Sequence, residues 1–274
     1  MPGSLPSVAH GCAAVQGGEI HFAHAGQGPA LILMHGGHGS WTHWIANVEA
    51  LSEKHRIIAP DFPGFGESFR PAGAYTLEDY RDRMVEMMDA LGVVRACLIG
   101  FSFGGMVATA VAAAFPQRAS GLVVVNAPGT GKPSPEAIAI LNEQSGIAKR
   151  EGVRQGLRGT LERIMLADAS LIDDGVRALT LANIKRTRVV TRPISRNVRI
   201  VPLMEQLACP SLVLLGAQDP HQRHELEART ARIAAALKDG MVEVWPDAAH
   251  WLQYECADRF NNRVLAFLER LNFE

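Results

Sequence analysis

Gly100-Phe101-Ser102-Phe103-Gly104 is the segment whose residue types and spacing most directly suggest chemistry. A G-x-S-x-G directly after an apolar strand-like run, and opening a helix-like one, fits a nucleophile elbow. The turn is too tight for side chains beside the serine, and the hydroxyl stands at the positive end of a helix. The plainer alternative is a glycine-bounded turn with a solvated serine; the strand before and the helix after favour the nucleophile. A serine hydroxyl needs a base, and the base needs an orienting carboxylate. For this elbow the expected chain order is serine, acid, histidine.

Three histidines follow Ser102: His221, His224 and His250. His250 comes a short loop after the last apolar run and leads into the C-terminal helix, which puts it at the same sheet edge as the serine. His221 and His224 lie in a polar helix start and are expected to be solvated. Asp219, in Gly216-Ala217-Gln218-Asp219-Pro220, follows the penultimate run and is the expected acid, although aspartate also caps turns readily. Asp247 is the second choice for that role, and Asn126 cannot serve as a carboxylate.

Acyl transfer also requires N–H donors for the oxyanion. The N–H of Phe103 is one; His35-Gly36-Gly37-His38-Gly39, directly after an early strand-like run, offers the other at Gly37. Glycines allow that loop to approach a substrate closely. No GK[ST] follows it and no G-x-G-x-x-G precedes a helix, so it is not read as a phosphate cradle. Gly36, His38, Trp41, Phe101 and Trp251 are expected to contact substrate. Phe103, Trp44 and Met106 are weaker candidates for the same apolar wall; core packing suits Trp44 equally and Met106 better.

The elements that must position these residues are short apolar bursts separated by helix-length segments, the pattern of a largely parallel sheet covered on both faces. The bursts are Ala30–Met34, Arg56–Ala59, Ala96–Ile99, Leu122–Val125, Leu212–Leu215 and Val242–Trp245. Helices are expected from Thr76 to about Leu91 with Gly92 as a stop, and over Phe103–Phe115, Glu225–Leu237 and Cys256–Leu271. Residues 129–205 break the rhythm and show only short helical patterns. A structureless loop that long is improbable in a compact domain, so a helical lid over 129–205 is expected on a core of 1–128 and 206–274. It would cover the carboxyl edge of the sheet, where ligands bind.

Length and composition bound these readings. With 274 residues, 27 Lys+Arg against 28 Asp+Glu and 47 % hydrophobic residues, the chain is neither disordered nor basic enough to suggest a nucleic-acid partner. Cys12, Cys97, Cys209 and Cys256 form no CxxC or Cys/His pair, so no disulfide framework or metal site is expected and buried thiols are the default. The start Met1–Pro6 shows no secretory signal, and no run approaches the ~18 apolar residues of a membrane helix. A cytoplasmic chain with a small-molecule substrate, no membrane partner and room for a homodimer follows.

The order of strand, His35-Gly36-Gly37 loop, Asp61-Phe62-Pro63-Gly64-Phe65-Gly66-Glu67-Ser68, elbow, lid, Asp219 and His250 resembles the α/β-hydrolase superfamily over nearly all the chain. The resemblance implies an eight-stranded, mostly parallel sheet, a Ser102-His250-Asp219 triad and no cofactor. Serine at the elbow differs from the aspartate of haloalkane dehalogenases and epoxide hydrolases. Gly36-Gly37 and His250-Trp251-Leu252-Gln253-Tyr254-Glu255, with Ala257-Asp258 and Phe260-Asn261, look like the meta-cleavage-product hydrolases, which split a carbon-carbon bond in dienoates. Those usually carry asparagine where this chain has Phe101, another asparagine near His43, and a lid arginine for the substrate carboxylate. Arg177, Arg188 and Arg192 are the candidates for that arginine. The Gly100–Gly105 stretch also resembles esterases and cofactor-free haloperoxidases. A carboxylic ester is therefore the first expectation, carbon-carbon hydrolysis the second, and ligand binding without turnover the third.

Overall fold

Aliphatic runs with no polar alternation require burial on both faces, and the strands that carry them lie inside a covered sheet. The computed structural model describes residues 6–273; Met1–Leu5, part of the start read for a signal, lie outside the described residues. Strands β1 (Ala9–Val15), β2 (Gly18–Ala25), β3 (Ala30–Met34), β4 (Arg56–Pro60), β5 (Ala96–Phe101), β6 (Ala119–Val125), β7 (Ser211–Gly216) and β8 (Gly240–Trp245) form one sheet. Its order is β1-β2-β4-β3-β5-β6-β7-β8. β2 runs antiparallel to both β1 and β4, and every other pairing is parallel. All six residues of β5 and all seven of β6 are buried, whereas the edge strand β8 is mostly half-exposed.

Helices follow in chain order: α1 (Val48–Ser52), α2 (Leu77–Ala90), α3 (Phe103–Ala114), α4 (Pro135–Glu151), α5 (Val153–Thr160) and α6 (Asp174–Lys185). After them come α7 (Arg192–Asn197), α8 (Val201–Met204), α9 (Leu226–Ala236), α10 (Leu252–Glu255) and α11 (Ala257–Leu268). α2 starts where expected because Thr76 and Asp79 form a reciprocal capping box, and it stops before Gly92, whose φ of 64° suits glycine. Among the described residues 129–205 there are helices and no strand. Ser134 caps α4 with proline at its first position, and Asp173 caps α6.

Successive strand residues face opposite sides of the sheet, which divides the core in two. Ile32, Leu98, Val124 and Val213 pack under α2, α3 and α9. Leu33, Ile99, Val125 and Leu214 share the other layer with Trp44, Trp251 and the α11 face of Phe260, Val264, Phe267 and Leu268.

Several expectations shift. The hairpin β1–β2 was not among the six runs read from sequence, because AHGCAAV and GEIHFAHA mix small, polar and apolar residues. The C-terminal helix is shorter than Cys256–Leu271, and α10 precedes it. Cys97 and Cys209 are buried, but Cys12 is exposed on the edge strand β1, and Cys256 is half-buried.

Candidate active site

β3, β5, β6, β7 and β8 end on one edge, and the loops leaving them converge there. Between β5 and α3, Ser102 takes φ 52° and ψ −118°, a strained conformation for a side-chain-bearing residue. Its neighbours must be glycine: a Cβ on Gly100 would lie 2.3 Å from the Gly104 carbonyl oxygen, and one on Gly104 would lie 2.2 Å from that of Met34. The Ser102 N–H donates to Val125 O at 2.8 Å and its carbonyl accepts from Gly105 N at 2.9 Å, which fixes the turn.

Asp219 and His250 meet this serine in one line. Ser102 Oγ lies 3.0 Å from His250 Nε2, and His250 Nδ1 lies 2.6 Å from Asp219 Oδ2. Asp219 is fully buried, and its other oxygen accepts the His221 N–H at 2.8 Å. Burial raises the carboxyl pKa, but the charge and hydrogen bond of His250 outweigh it and hold Asp219 below the ordinary aspartate value. Asp247, the second choice, is instead on the surface, paired with Arg259.

The loop bearing His250 is tied at several points. Its N–H donates to Ile164 O at 3.2 Å and the Trp251 N–H to Met165 O at 2.8 Å. Asn126, at the end of β6 with φ 47°, donates its amide to the carbonyls of Ala249 and His250, both at 2.9 Å, and accepts from Gly216 N at 2.9 Å. Sequence reasoning noticed Asn126 only to exclude it as an acid. A polar residue ending an otherwise aliphatic strand was the available signal.

The glycine loop after β3 is built on two histidines. His35 donates from Nδ1 to Gly36 O at 2.7 Å and accepts the Phe62 N–H on Nε2 at 3.0 Å; burial pushes its imidazole down to about 4. The Gly36 N–H donates to His43 Nδ1 at 3.1 Å, so in His43, also kept neutral by burial, the proton sits on Nε2. Gly37 and Phe103, the expected oxyanion donors, both line the cavity around Ser102.

That cavity measures about 500 Å³. His38, Phe101 and His43 join its core side, and Leu141, Leu157, Ile164, Met165 and Ile184 form an apolar wall from the 129–205 segment. Among the described residues, its cations are Lys132, Arg192, Arg196 and Arg229, and no aspartate or glutamate lines it. Arg188 instead donates to the carbonyls of Phe65, Gly66 and Ser68, and Arg177 pairs with Asp174 on the surface.

Three of the residues expected to contact substrate are not in this wall. Gly36 sits one step behind it, with Phe101 and Ser102 packed where a Cβ would go. Trp251 is buried with its indole N–H on His43 O at 2.9 Å and its ring stacked on Tyr254 at 4.3 Å, because a buried indole needs an acceptor. Trp41 lines a second cavity of about 450 Å³ beside Asp61 and Tyr254, its N–H held by Asp61 Oδ1 at 2.8 Å. Trp44 and Met106 belong to the core. In the opposite direction, His221 is half-buried rather than free in solvent: it lines the Ser102 cavity with its ring 5.0 Å from that of His250, and desolvation pushes it down to about 4.

Among known proteins, a family model described as alpha/beta hydrolase fold matches residues 29–170. The chain is 31 % identical to a 2-hydroxy-6-oxo-6-phenylhexa-2,4-dienoate hydrolase of Burkholderia cepacia over 91 % of each chain. Carboxylesterase CesB of Bacillus subtilis superposes with a TM-score of 0.84 at 22 % identity, covering 96 % of this chain and 92 % of that one. The meta-cleavage product hydrolase of Pseudomonas fluorescens IP01 gives 0.80 at 24 % identity, covering 94 % and 97 %.

Proposed function

This chain belongs to the α/β-hydrolase family, and on that basis we propose that it is a serine hydrolase cleaving a small carboxylic ester through an acyl-enzyme. The observation that carries the reading is the continuous Ser102–His250–Asp219 hydrogen-bonded line at the carboxyl edge. Ser102 Oγ attacks the ester carbonyl while His250 Nε2 takes its proton, and the Nδ1–H of the imidazole stays on Asp219. The oxyanion is received by the N–H groups of Gly37 and Phe103, the latter at the positive end of α3. Collapse breaks the C–O bond as His250 returns the proton to the leaving alcohol. Water then attacks the acyl-serine with His250 again as base, freeing the acid and Ser102.

Residues 129–205 act in this reading as a lid on the core of 1–128 and 206–274, supported by their share of the cavity wall. The substrate contacts are His38 and Phe101, with Gly36, Trp41 and Trp251 supporting the loops that hold them. The substrate is a small molecule. Among the described residues no helix is long and apolar enough to cross a membrane, and the free cysteines suit the reducing cytoplasm we assign. Homodimer formation is part of the same proposal and is read by light scattering.

A second reading is hydrolysis of the carbon-carbon bond in a 2-hydroxy-6-oxo-dienoate. Its support is the relative above, matched over 91 % of each chain, together with Arg192 and Arg196 in a cavity wall where no acidic residue lies among the described residues. The deciding experiment measures kcat/KM for p-nitrophenyl butyrate and a 2-hydroxy-6-oxo-dienoate side by side, with Ser102→Ala as the blank. Turnover of the ester alone supports the first reading, and a dienoate preference of orders of magnitude supports the second. If a fluorophosphonate fails to label Ser102 in folded protein, both give way to ligand binding without turnover.

A further inference from the structure

Thr191 stands immediately before α7, where a threonine hydroxyl ordinarily accepts an N–H of the first turn. Its side chain makes no such cap, and among the described residues the hydroxyl has no hydrogen-bond partner. The other threonines of 129–205, Thr130, Thr160, Thr180 and Thr187, each donate to a backbone carbonyl. Thr191 is 7 % exposed and lines the Ser102 cavity, and its Oγ1 is not sealed off from that cavity. A hydroxyl so placed keeps its donor and its lone pairs for what the cavity holds.

The hydroxyl is carried by the lid but lies against the oxyanion loop. Thr191 Oγ1 is 3.3 Å from where a Cβ on Gly37 would stand, and Ser102 Cβ is 3.1 Å from the corresponding point on Gly36. The nucleophile therefore meets this loop at one residue and Thr191 meets it at the next, their Cα atoms ~3.8 Å apart. The following residues approach as well: burial, and then the charge of Arg192, lower the His38 imidazole. Anchors outside the cavity fix the stretch. The Arg188 N–H donates to Gly64 O at 2.8 Å, the Val189 side chain packs on Gly64, and the Thr191 carbonyl accepts the Ser195 N–H at 3.1 Å.

We propose that Thr191 is a third donor to the oxyanion, supplied by the lid beside the N–H groups of Gly37 and Phe103. Its hydroxyl hydrogen turns to the oxygen that becomes negative as Ser102 adds to the carbonyl. That oxygen only accepts, and a donor aimed at its charged form stabilises the transition state more than the ground state. Rotation about the Cβ–Oγ1 bond directs the hydrogen without moving the backbone. The step adds a hydrogen bond and transfers no proton. Because residues 129–205 carry Thr191, the hole is complete only with that segment seated over the elbow. The inference rests on the serine-hydrolase reading and adds to it a group acting on the reacting carbonyl.

The test reads p-nitrophenyl butyrate turnover together with inhibition by 1,1,1-trifluoroheptan-2-one, a ketone that an active serine captures as a tetrahedral oxyanion. Thr191→Val keeps the shape and removes the hydroxyl. It is expected to lower kcat about ten-fold or more with KM held within about two-fold. The ketone should lose affinity by a similar factor, while equilibrium binding of the ester to Ser102→Ala protein is the same with and without Thr191→Val. Thr191→Ser should keep kcat within about two-fold of the wild type. Where Thr191→Val does not fold, Thr191→Ala against Thr191→Ser makes the same comparison, since both lack the methyl and only one keeps the hydroxyl. A folded Thr191→Val with unchanged kcat and ketone affinity overturns the proposal, as does a loss that appears equally in ground-state binding or persists in Thr191→Ser. If the wild type is active and labelled by fluorophosphonate, such a result removes the third donor alone. A wild type that neither turns over ester nor takes the label removes the hydrolase reading and the donor with it.

Discussion

The backbone N–H of Gly36 donates to Nδ1 of His43 at 3.1 Å, and this bond ties down the loop that carries Gly37, the proposed oxyanion donor. It occupies the first glycine's N–H and leaves the Nε2–H of His43 as that ring's remaining donor. The ring is held between Phe101 and Trp251, at 5.2 and 5.3 Å, with Gly39 against its edge. A Cβ on Gly39 would lie 2.1 Å from the ring, so no larger residue fits there.

Replacing His43 by phenylalanine keeps the ring volume and strands the Gly36 N–H. An orphaned buried donor costs about 1–3 kcal/mol, and in a chain of this size each kcal/mol lowers Tm by about 2–4 °C. His43→Phe is expected to melt several degrees lower and to lose at least about ten-fold in kcat/KM as the Gly37 loop relaxes. Unchanged Tm and activity would show that the bond organises nothing.

Asn126 joins β6, β7 and the His250 loop through three hydrogen bonds but touches no reacting atom. Asn126→Ala should therefore lower kcat more than it raises KM, because His250 loses its placement while the cavity wall, to which Asn126 contributes one residue, is otherwise kept. At about 0.5–1.5 kcal/mol per bond, calorimetry should also report a clear loss of stability. A KM effect alone would assign Asn126 to substrate binding instead.

Gly100→Ala tests the elbow. The added Cβ would collide with backbone rather than a flexible side chain, so the β5–α3 turn must open and Ser102 Oγ must leave His250. The expected outcome is loss of fluorophosphonate labelling together with a lower Tm; a fully labelled, equally stable variant contradicts the geometry.

Asp61 supplies a pH-dependent part of stability. Burial works against its charge, but the His21 hydrogen bond at 2.8 Å, the nearby His35, and N–H donors from Glu67 and Trp41 hold its carboxyl below the ordinary value of 3.8. A depressed carboxyl contributes stability above its unfolded value and loses it as pH falls through the folded one. Acid unfolding curves of the wild type and Asp61→Asn should thus differ most near neutrality and draw together below pH 3.8. Parallel curves down to the lowest pH would mean that the pair makes no such contribution.

Arg192 and Arg196 separate the two substrate readings. If the substrate carries a carboxylate, Arg192→Ala should reduce dienoate turnover by about ten-fold or more, as loss of a charge-assisted bond does, while p-nitrophenyl butyrate changes little. Equal effects on both would mean that the arginine shapes the lid rather than binds an anion.

The parts of this protein legible from the sequence are those set by local sterics and chain order. Gly100 and Gly104 admit no Cβ, the Thr76–Asp79 box starts α2, and strand ends in a parallel sheet must deliver Ser102, Asp219 and His250 to one edge. The hairpin β1–β2 escaped because its small and polar residues lack an apolar period. The roles of His43, Asn126, His221, Trp41 and Trp251 depended on the assembled chain. The indole N–H of Trp251 finds its acceptor 208 residues away on His43, and the amide of Asn126 finds its own 123 and 124 residues away. His221, in a segment that reads as solvated, turns inward because Arg229 staples its loop to residues 130–132 and the helices of 129–205 close over it. Burial and long-range hydrogen-bond partners arise only when distant segments pack, so these assignments came from tertiary structure.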